Sequence, residues 1–292
     1  MEFSADYLIQ KQSLPLEAKI VFTEKRIREF FERTEDMAYI SFSGGLDSTV
    51  LLDLVRNIYP STPAVFVDTG LEYPEIRDFV KTKEDITWVK PKKSFKTILD
   101  EYGYPIITKE QSEYIDEYRN TKSDKLKDIR WNGNKYKRGK ISEKWKFMVD
   151  APFKISDKCC DYIKKEPAKR YEKETGRYPI IGTRADESSN RTKDYMKYGC
   201  NQFDNKRIMS KPLSIWTHED IWEYLKVKNL PYSKIYDMGY DRTGCAFCGF
   251  GCHLNEPNKF QIMKKTHPQL HQYCGEQLGL RKVFEFMGIP FD

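Results

Sequence analysis

Short, wholly apolar runs alternate along this chain with longer stretches whose apolar residues recur every three or four positions. In residues 17–34, Ala18, Ile20, Val21, Ile27, Phe30 and Phe31 fall on one side of a 3.6-residue period, which predicts a leading amphipathic helix. Residues 37–42 (Met-Ala-Tyr-Ile-Ser-Phe) have the pattern of a buried strand. Residues 46–58, with Val50, Leu51, Leu54, Val55 and Ile58, return to helical spacing. A second strand is expected at 64–67, running into Asp68-Thr69-Gly70, then a helix opening near Pro74. A third strand is expected at 86–89, and Ser94 caps another short helix. Further on, 158–175 predicts a helix that begins at Cys159-Cys160 and stops at Gly176, and 178–181 a strand. Thr217 with Asp220 forms a capping box, and 258–287 is mostly helical in pattern, with His267 and His271 read as surface residues. This close alternation predicts an α/β fold: a doubly wound parallel sheet, followed by a cysteine-rich, mostly helical C-terminal part.

The first strand and its helix are joined by Ser43-Gly44-Gly45-Leu46-Asp47-Ser48. Two glycines let backbone approach a ligand without obstruction, and a helix N-terminus presents unpaired N–H groups and partial positive charge, so phosphate or sulfate is the natural occupant. No Lys-Ser/Thr pair follows the glycines, which excludes the Walker A pattern. Ligands of such sheets sit at the carboxyl ends of the strands, which makes Asp68, Thr69 and Gly70 candidate nucleoside contacts. At the end of the 178–181 strand, Arg184 and Arg191 are a candidate clamp for an anionic group.

With 292 residues, 39% hydrophobic and 32% charged, the chain is expected to bury a full core and is neither a membrane protein nor wholly disordered. No stretch approaches the roughly 18 apolar residues of a membrane span, and residues 1–12 lack a signal peptide's pattern, so a cytoplasmic location is expected. The seven cysteines are accordingly read as metal ligands or reactive thiols. The net charge of +6 is uneven, because residues 119–146 hold eleven basic side chains against three acidic ones, with Trp131, Tyr136 and Trp145 among them. Such a block suits a nucleic-acid partner; a solvated insertion or mobile loop is the commoner fate of a charge run and is preferred here.

Two motifs carry a family resemblance. Ser43, Gly44, Gly45, Asp47 and Ser48 resemble the SGGxDS signature of the PP-loop, or adenine nucleotide α-hydrolase, superfamily. Adjacent Cys159 and Cys160, then 84 residues, then Cys245-x-x-Cys248 resemble the 4Fe-4S pattern of adenylyl-sulfate (APS) reductases, within the APS/PAPS reductase family. Phe66 to Gly70 with Pro74 and Glu75, Gly182-Thr183-Arg184 with Ser188 and Arg191, and Pro231 to Cys245 follow the same family's order. The resemblance implies an iron–sulfur enzyme that binds an adenine nucleotide (APS, PAPS or ATP). Arg184 and Arg191 would stabilise transferring charge, and the attacking thiol would be Cys252, Cys274 or one from outside, such as thioredoxin. It implies a 4Fe-4S cluster on Cys159, Cys160, Cys245 and Cys248, in preference to zinc. Cys252 is either a further ligand or a thiol whose pKa His253 lowers; Cys200 reads as a buried small hydrophobe, as does Cys274 unless it is the nucleophile. The implied domains are an N-terminal helical segment (1–36), a nucleotide-binding domain (37–250) with a basic insertion (about 119–148), and a helical extension (251–292).

The glycine motif is intact, as in the ATP-cleaving members, and the sequence given ends Gly288-Ile289-Pro290-Phe291-Asp292 without the reductases' Glu-Cys-Gly tail. The alternatives are therefore an ATP pyrophosphatase, with Asp47 helping to place Mg²⁺, that activates an acceptor for sulfur transfer to nucleic acid, and a metal-stapled nucleic-acid-binding module.

Overall fold

The computed structural model describes residues 3–203 and 207–292. Its strands are β1 (Ala38–Ser41), β2 (Ala64–Val67), β3 (Ile86–Val89), β4 (Ile106–Ile107), β5 (Tyr178–Ile181), β6 (Asn201–Gln202), β7 (Met209–Ser210) and β8 (Gly249–Phe250). Two compact units emerge. One comprises the chain up to Asp68, Glu72–Lys90 and Pro167–Thr243; the other comprises Thr69–Leu71, Pro91–Glu166 and Gly244–Asp292.

The first unit is built on a six-stranded sheet of order β3-β2-β1-β5-β7-β6, parallel except for β6, which runs antiparallel to β7 at the edge. This is the doubly wound arrangement expected from the alternation of strand and helix. The chain lays β2 and β3 on one side of β1 and then returns to place β5 on the other, so the winding direction reverses between β1 and β5. In register there, Ser41 stands opposite Ile181. A crevice at the carboxyl ends of strands where winding reverses is the standard ligand position in this architecture.

The helices include α1 (Ala5–Gln12), α2 (Leu16–Arg33), α3 (Leu46–Ile58) and α4 (Pro74–Lys81), and later ones are given below by range. α3 and α4 begin where the sequence pattern places them. On α2 the buried face is rotated from the expected one: Val21 is 68% exposed, while Lys19 and Thr23 are buried beside Leu16, Ile27, Phe30 and Phe31. Both polar side chains are answered. The Lys19 ammonium donates to Asp220 at 2.6 Å; the Thr23 hydroxyl donates to the Pro212 carbonyl and accepts from Trp216 Nε1. A polar residue can occupy a buried stripe when its partner waits there, and the partners lie about 200 residues away, hidden from local periodicity.

The second unit has its own short parallel pair, β4 with β8, and its own core of Ile106, Ile107, Ile115, Ile141, Trp145, Met148, Val283 and Met287. The basic stretch is therefore folded. Thr108 caps the helix Lys109–Asn120, Ser123 caps Asp124–Asn132, and a 3-10 segment spans Glu143–Asp150. Trp145, expected among the base-stacking aromatics, is 4% exposed and belongs to this core. His271, expected on the surface, is buried and its Nε2 bonds the Phe291 carbonyl. The expected helix at 158–175 forms with a π-turn at Asp161–Lys165 leading into Glu166–Thr175.

Removing one partner of a buried ion pair leaves the other charge unanswered, at a cost of about 3–5 kcal/mol. The side chains of Lys19 and Asp220 are 3% and 10% exposed. Lys19→Met should therefore lower the unfolding free energy obtained from urea titration by an amount in that range, whereas Val21→Ala on the same helix should leave it nearly unchanged.

Candidate active site at the end of the first strand

The glycine turn leaves β1 at the reversal point. Gly44 has φ +74°, a conformation side chains rarely adopt, and a Cβ there would lie 2.8 Å from Val80 Cγ2. Gly45 is the N-cap of α3. Ser48 ties the turn together: its hydroxyl donates to the Gly45 carbonyl at 2.9 Å and accepts from the Ser43 N–H, with the Ser43 hydroxyl 3.1 Å away. From the other strand, Gly182 packs on the first turn of α3, where a Cβ would stand 2.9 Å from the Asp47 carbonyl oxygen. The structure thus brings both serines, both glycines and Asp47 together on one turn.

Arg184 joins them. Its buried guanidinium forms an ion pair with Asp47 (Nε to Oδ1, 2.5 Å) and donates from Nη1 to Asp186 at 2.9 Å. Arg191 pairs instead with Glu187, which also receives the Arg184 backbone N–H and, at 3.3 Å, Arg242 Nη2. Burial raises the Asp186 carboxyl pKa, against the pull of Arg184, and lowers that of Arg191, which also feels Arg242. Three arginines therefore face three carboxylates. A cavity of about 110 Å³ is lined by Thr183, Arg184, Arg191, Asp194, Lys211 and Ser214, and within it Lys211 pairs with Asp194. That volume suits one tetrahedral oxyanion and is well below the ~300 Å³ of a typical small-molecule site.

Asp68 ends β2 in the same unit. Its N–H donates to the Val89 carbonyl and its Oδ2 receives Arg77 at 3.0 Å, but its buried Oδ1 has no hydrogen-bond partner among the described residues. Thr69 and Gly70 fall in the second unit, where the Thr69 hydroxyl accepts the Leu71 N–H and the Leu71 carbonyl accepts the Ala246 N–H, between the cysteines.

Sequence reasoning missed Tyr236. The hydroxyl of this half-buried side chain accepts the Leu46 N–H at 3.1 Å and lies 3.2 Å from the Thr243 hydroxyl, so it occupies the helix N-terminus at which an anion was expected. Arg242 was missed as well. Both lie in the stretch before Gly244-Cys245 singled out for its family likeness, and nothing in local pattern marks either side chain as site-directed.

The cysteines of interest all lie in the second unit, and no cysteine is in a disulfide. Burial raises the Cys159 thiol pKa, and the charges of Cys160, Cys245 and Cys248 raise it further, so the four thiols lie within electrostatic reach of one another. Lys164 partly offsets the burial at Cys160. Cys245 and Cys248 sit on one tight turn, the Cys248 N–H donating to the Cys245 carbonyl at 3.2 Å. Among the described residues no three His, Cys, Asp or Glu side chains converge as one metal ion requires. Thiolates are soft donors of the kind that bind zinc or an iron–sulfur cluster. Cys252 departs from expectation. It is buried, its thiol donates weakly to the Cys248 carbonyl at 3.7 Å, and burial pushes its pKa up to about 11. His253 does not activate it: burial lowers the imidazole's own pKa, so the ring is neutral and supplies no positive charge. Cys274 is raised in the same way, and so is Cys200, in the first unit, to about 12.

A doubly wound sheet with this glycine turn at its reversal point defines a PP-loop enzyme of the adenine nucleotide α-hydrolase type. The chain belongs to the phosphoadenosine phosphosulfate reductase domain family, whose model matches residues 37–249. It is 27% identical over 242 residues to an adenosine 5'-phosphosulfate reductase of Halalkalibacterium halodurans, covering 81% of this chain and 86% of that one. It is 28% identical over 252 residues to an uncharacterized protein of Methanocaldococcus jannaschii, covering 84% of this chain and 49% of the relative. The chain spans about half the length of that archaeal protein, and 42% of a second one from the same organism. Among solved structures, a phosphoadenylyl-sulfate reductase from Candida auris in a phosphate complex aligns with 84% of this chain and 97% of its own, at 18% identity and a TM-score of 0.45. No helix among the described residues is long and apolar enough to cross a membrane.

Tyr236→Phe strips the Leu46 N–H of its partner, and an unsatisfied buried donor costs about 1–3 kcal/mol. The variant should melt several degrees below the parent in ligand-free buffer and approach it once saturating phosphate or sulfate replaces the phenol at that N–H. An equal deficit in both conditions would show that no anion binds there.

Proposed function

We propose that this chain is an iron–sulfur PP-loop enzyme that binds an adenine nucleotide at residues 43–48 and acts on a sulfonucleotide, APS or PAPS, by thiol attack. The observation that carries the reading is the small cation-lined cavity at Arg184, Arg191 and Lys211 beside the glycine turn. In this reading a thiolate attacks the sulfur of the bound sulfonucleotide. A sulfur–sulfur bond forms, the bond from sulfur to the bridging oxygen breaks, and the electron pair leaves with AMP or its 3'-phosphorylated form. The α3 N-terminus and Arg184 would stabilise the charge that develops on the leaving phosphate. A second thiol then releases sulfite and leaves a disulfide, so two thiols supply the two electrons.

Cys252 and Cys274 are buried and protonated at neutral pH, which supports an outside dithiol such as thioredoxin as the donor. The unmet Oδ1 of Asp68 suits an N–H or O–H of the nucleoside. Cys159, Cys160, Cys245 and Cys248 would hold the cluster, which when bound supplies iron–thiolate charge and ties the two cysteine segments together. A second reading, an ATP pyrophosphatase that activates an acceptor for sulfur transfer to nucleic acid, is favoured by Asp47: it follows an intact glycine turn and would be released to Mg²⁺ if an anion took its place at Arg184.

The nucleotide consumed decides between them. Sulfite from APS or PAPS with added dithiol is the expected product; pyrophosphate from ATP, with neither sulfonucleotide bound, would replace the first reading by the second. Arg184→Ala should lower kcat more than it weakens nucleotide binding, as for a group acting on developing charge. Protein purified without oxygen should be brown and contain iron and acid-labile sulfide, and Cys245→Ser or Cys248→Ser should abolish both. Colourless protein holding one zinc per chain would overturn the cluster.

A further inference from the structure

The basic stretch sorts its cations by position. Most of those at its base are engaged: Arg119 donates to the carbonyls of Phe153 and Ala151, Arg130 pairs with Glu117, and Lys140 and Lys146 pair with Glu143, while exposed Lys144 lies over the Trp145 ring at 4.9 Å. Six others, Lys122, Lys125, Lys127, Lys135, Lys137 and Arg138, are exposed and have no carboxylate partner among the described residues. Only Asp124 and Asp128 lie among them in the chain.

These cations ride on a built surface. Asn134 Oδ1 accepts the N–H groups of both Tyr136 and Arg138, the Asn134 N–H donates to the Arg138 carbonyl at 2.8 Å, and the Lys137 N–H donates to the Asn134 carbonyl. Lys137 adopts φ +58°, and Gly133 adopts φ +93°, a conformation side chains rarely take, with a Cβ there 3.0 Å from the Lys137 backbone, so the turn favours glycine at 133. A non-glycine residue held in that region of φ is a cost that persists where the surroundings fix it. At the tip stands Tyr136, 68% exposed, with Lys135 over its ring at 4.9 Å.

We propose that this face, the helix Asp124–Asn132 and the turn at 133–139, binds single-stranded nucleic acid, the cations meeting phosphates and Tyr136 stacking on a base. Single strands are favoured over an acidic protein because an exposed ring on a hydrogen-bonded turn among cations without carboxylate partners offers a base a π-face that carboxylates do not use. The surface lies wholly within the second unit and does not depend on which nucleotide the glycine turn takes.

The test is fluorescence anisotropy of a labelled single-stranded RNA with the full chain, over a salt series. Binding should weaken as salt rises. Each neutralised phosphate contributes ~0.7 to the slope of log K against log salt, so Lys135→Gln/Lys137→Gln/Arg138→Gln should make that slope shallower by about 2. Tyr136→Ala should weaken single-strand binding roughly 5- to 150-fold, the worth of one base stack, and change duplex binding little. Thermal unfolding coincident with the parent's serves as the folding control for both variants. The proposal is overturned if no salt-dependent binding is seen, if poly-glutamate competes as well as RNA, or if either variant binds like the parent.

Discussion

The contact between Gly182 and the first turn of α3 is the constraint on which the site depends. The end of β5 comes so near the Asp47 carbonyl that any Cβ on Gly182 would stand 2.9 Å from it. With the β1–β5 register fixing Ser41 beside Ile181, that approach decides what the next residues of each strand can reach. Arg184, two residues on, meets Asp47; Ser43, two residues beyond β1, meets Ser48. A larger residue at 182 would push the strand end from the helix and separate the arginine from the turn together with it.

Electrostatically the site is balanced by its own side chains. Arg184 and Arg191 lie against Asp47, Asp186 and Glu187, and the α3 N-terminus is answered by the phenol of Tyr236. An incoming oxyanion must exchange partners with these groups, so its affinity is a difference between two nearly satisfied arrangements. The same arrangement keeps the cations oriented, which is what stabilising charge in a transition state requires, since little is left to reorganise when the charge appears. Asp68 is the exception. Half of its carboxylate is buried without a partner among the described residues, a cost that a ligand donor would relieve.

The cysteines show a different balance. Burial and neighbouring charge raise the thiol pKa values of Cys159 and Cys160, so a metal cluster would have to displace protons there to bind, and its affinity would rise with pH. The turn that presents Cys245 and Cys248 is fixed from beneath, because Gly249 packs where a Cβ would lie 2.8 Å from the Pro105 carbonyl oxygen. The Lys259 ammonium donates to the Cys245 carbonyl and steadies the same turn.

Much of this was legible in the chain itself. Strand and helix lengths follow from local periodicity, so α3, α4 and β1 to β3 fall where the pattern puts them. The glycine turn is legible because its backbone demands particular residues at adjacent positions, and the cysteine spacing because thiol chemistry does. What the sequence could not reveal are pairings between residues distant in the chain. Lys19 reads as a surface cation until Asp220 arrives beside it, and Trp145 reads as a stacking aromatic until Ile141 and Met148 close over it. Tyr236 is one tyrosine among 19 until the fold lays its hydroxyl on the Leu46 N–H. Cys252 beside His253 suggests an activated thiol, and burial decides the opposite. Local pattern determines which backbone conformation is cheap; only tertiary packing decides which polar atoms lose water and which partner replaces it.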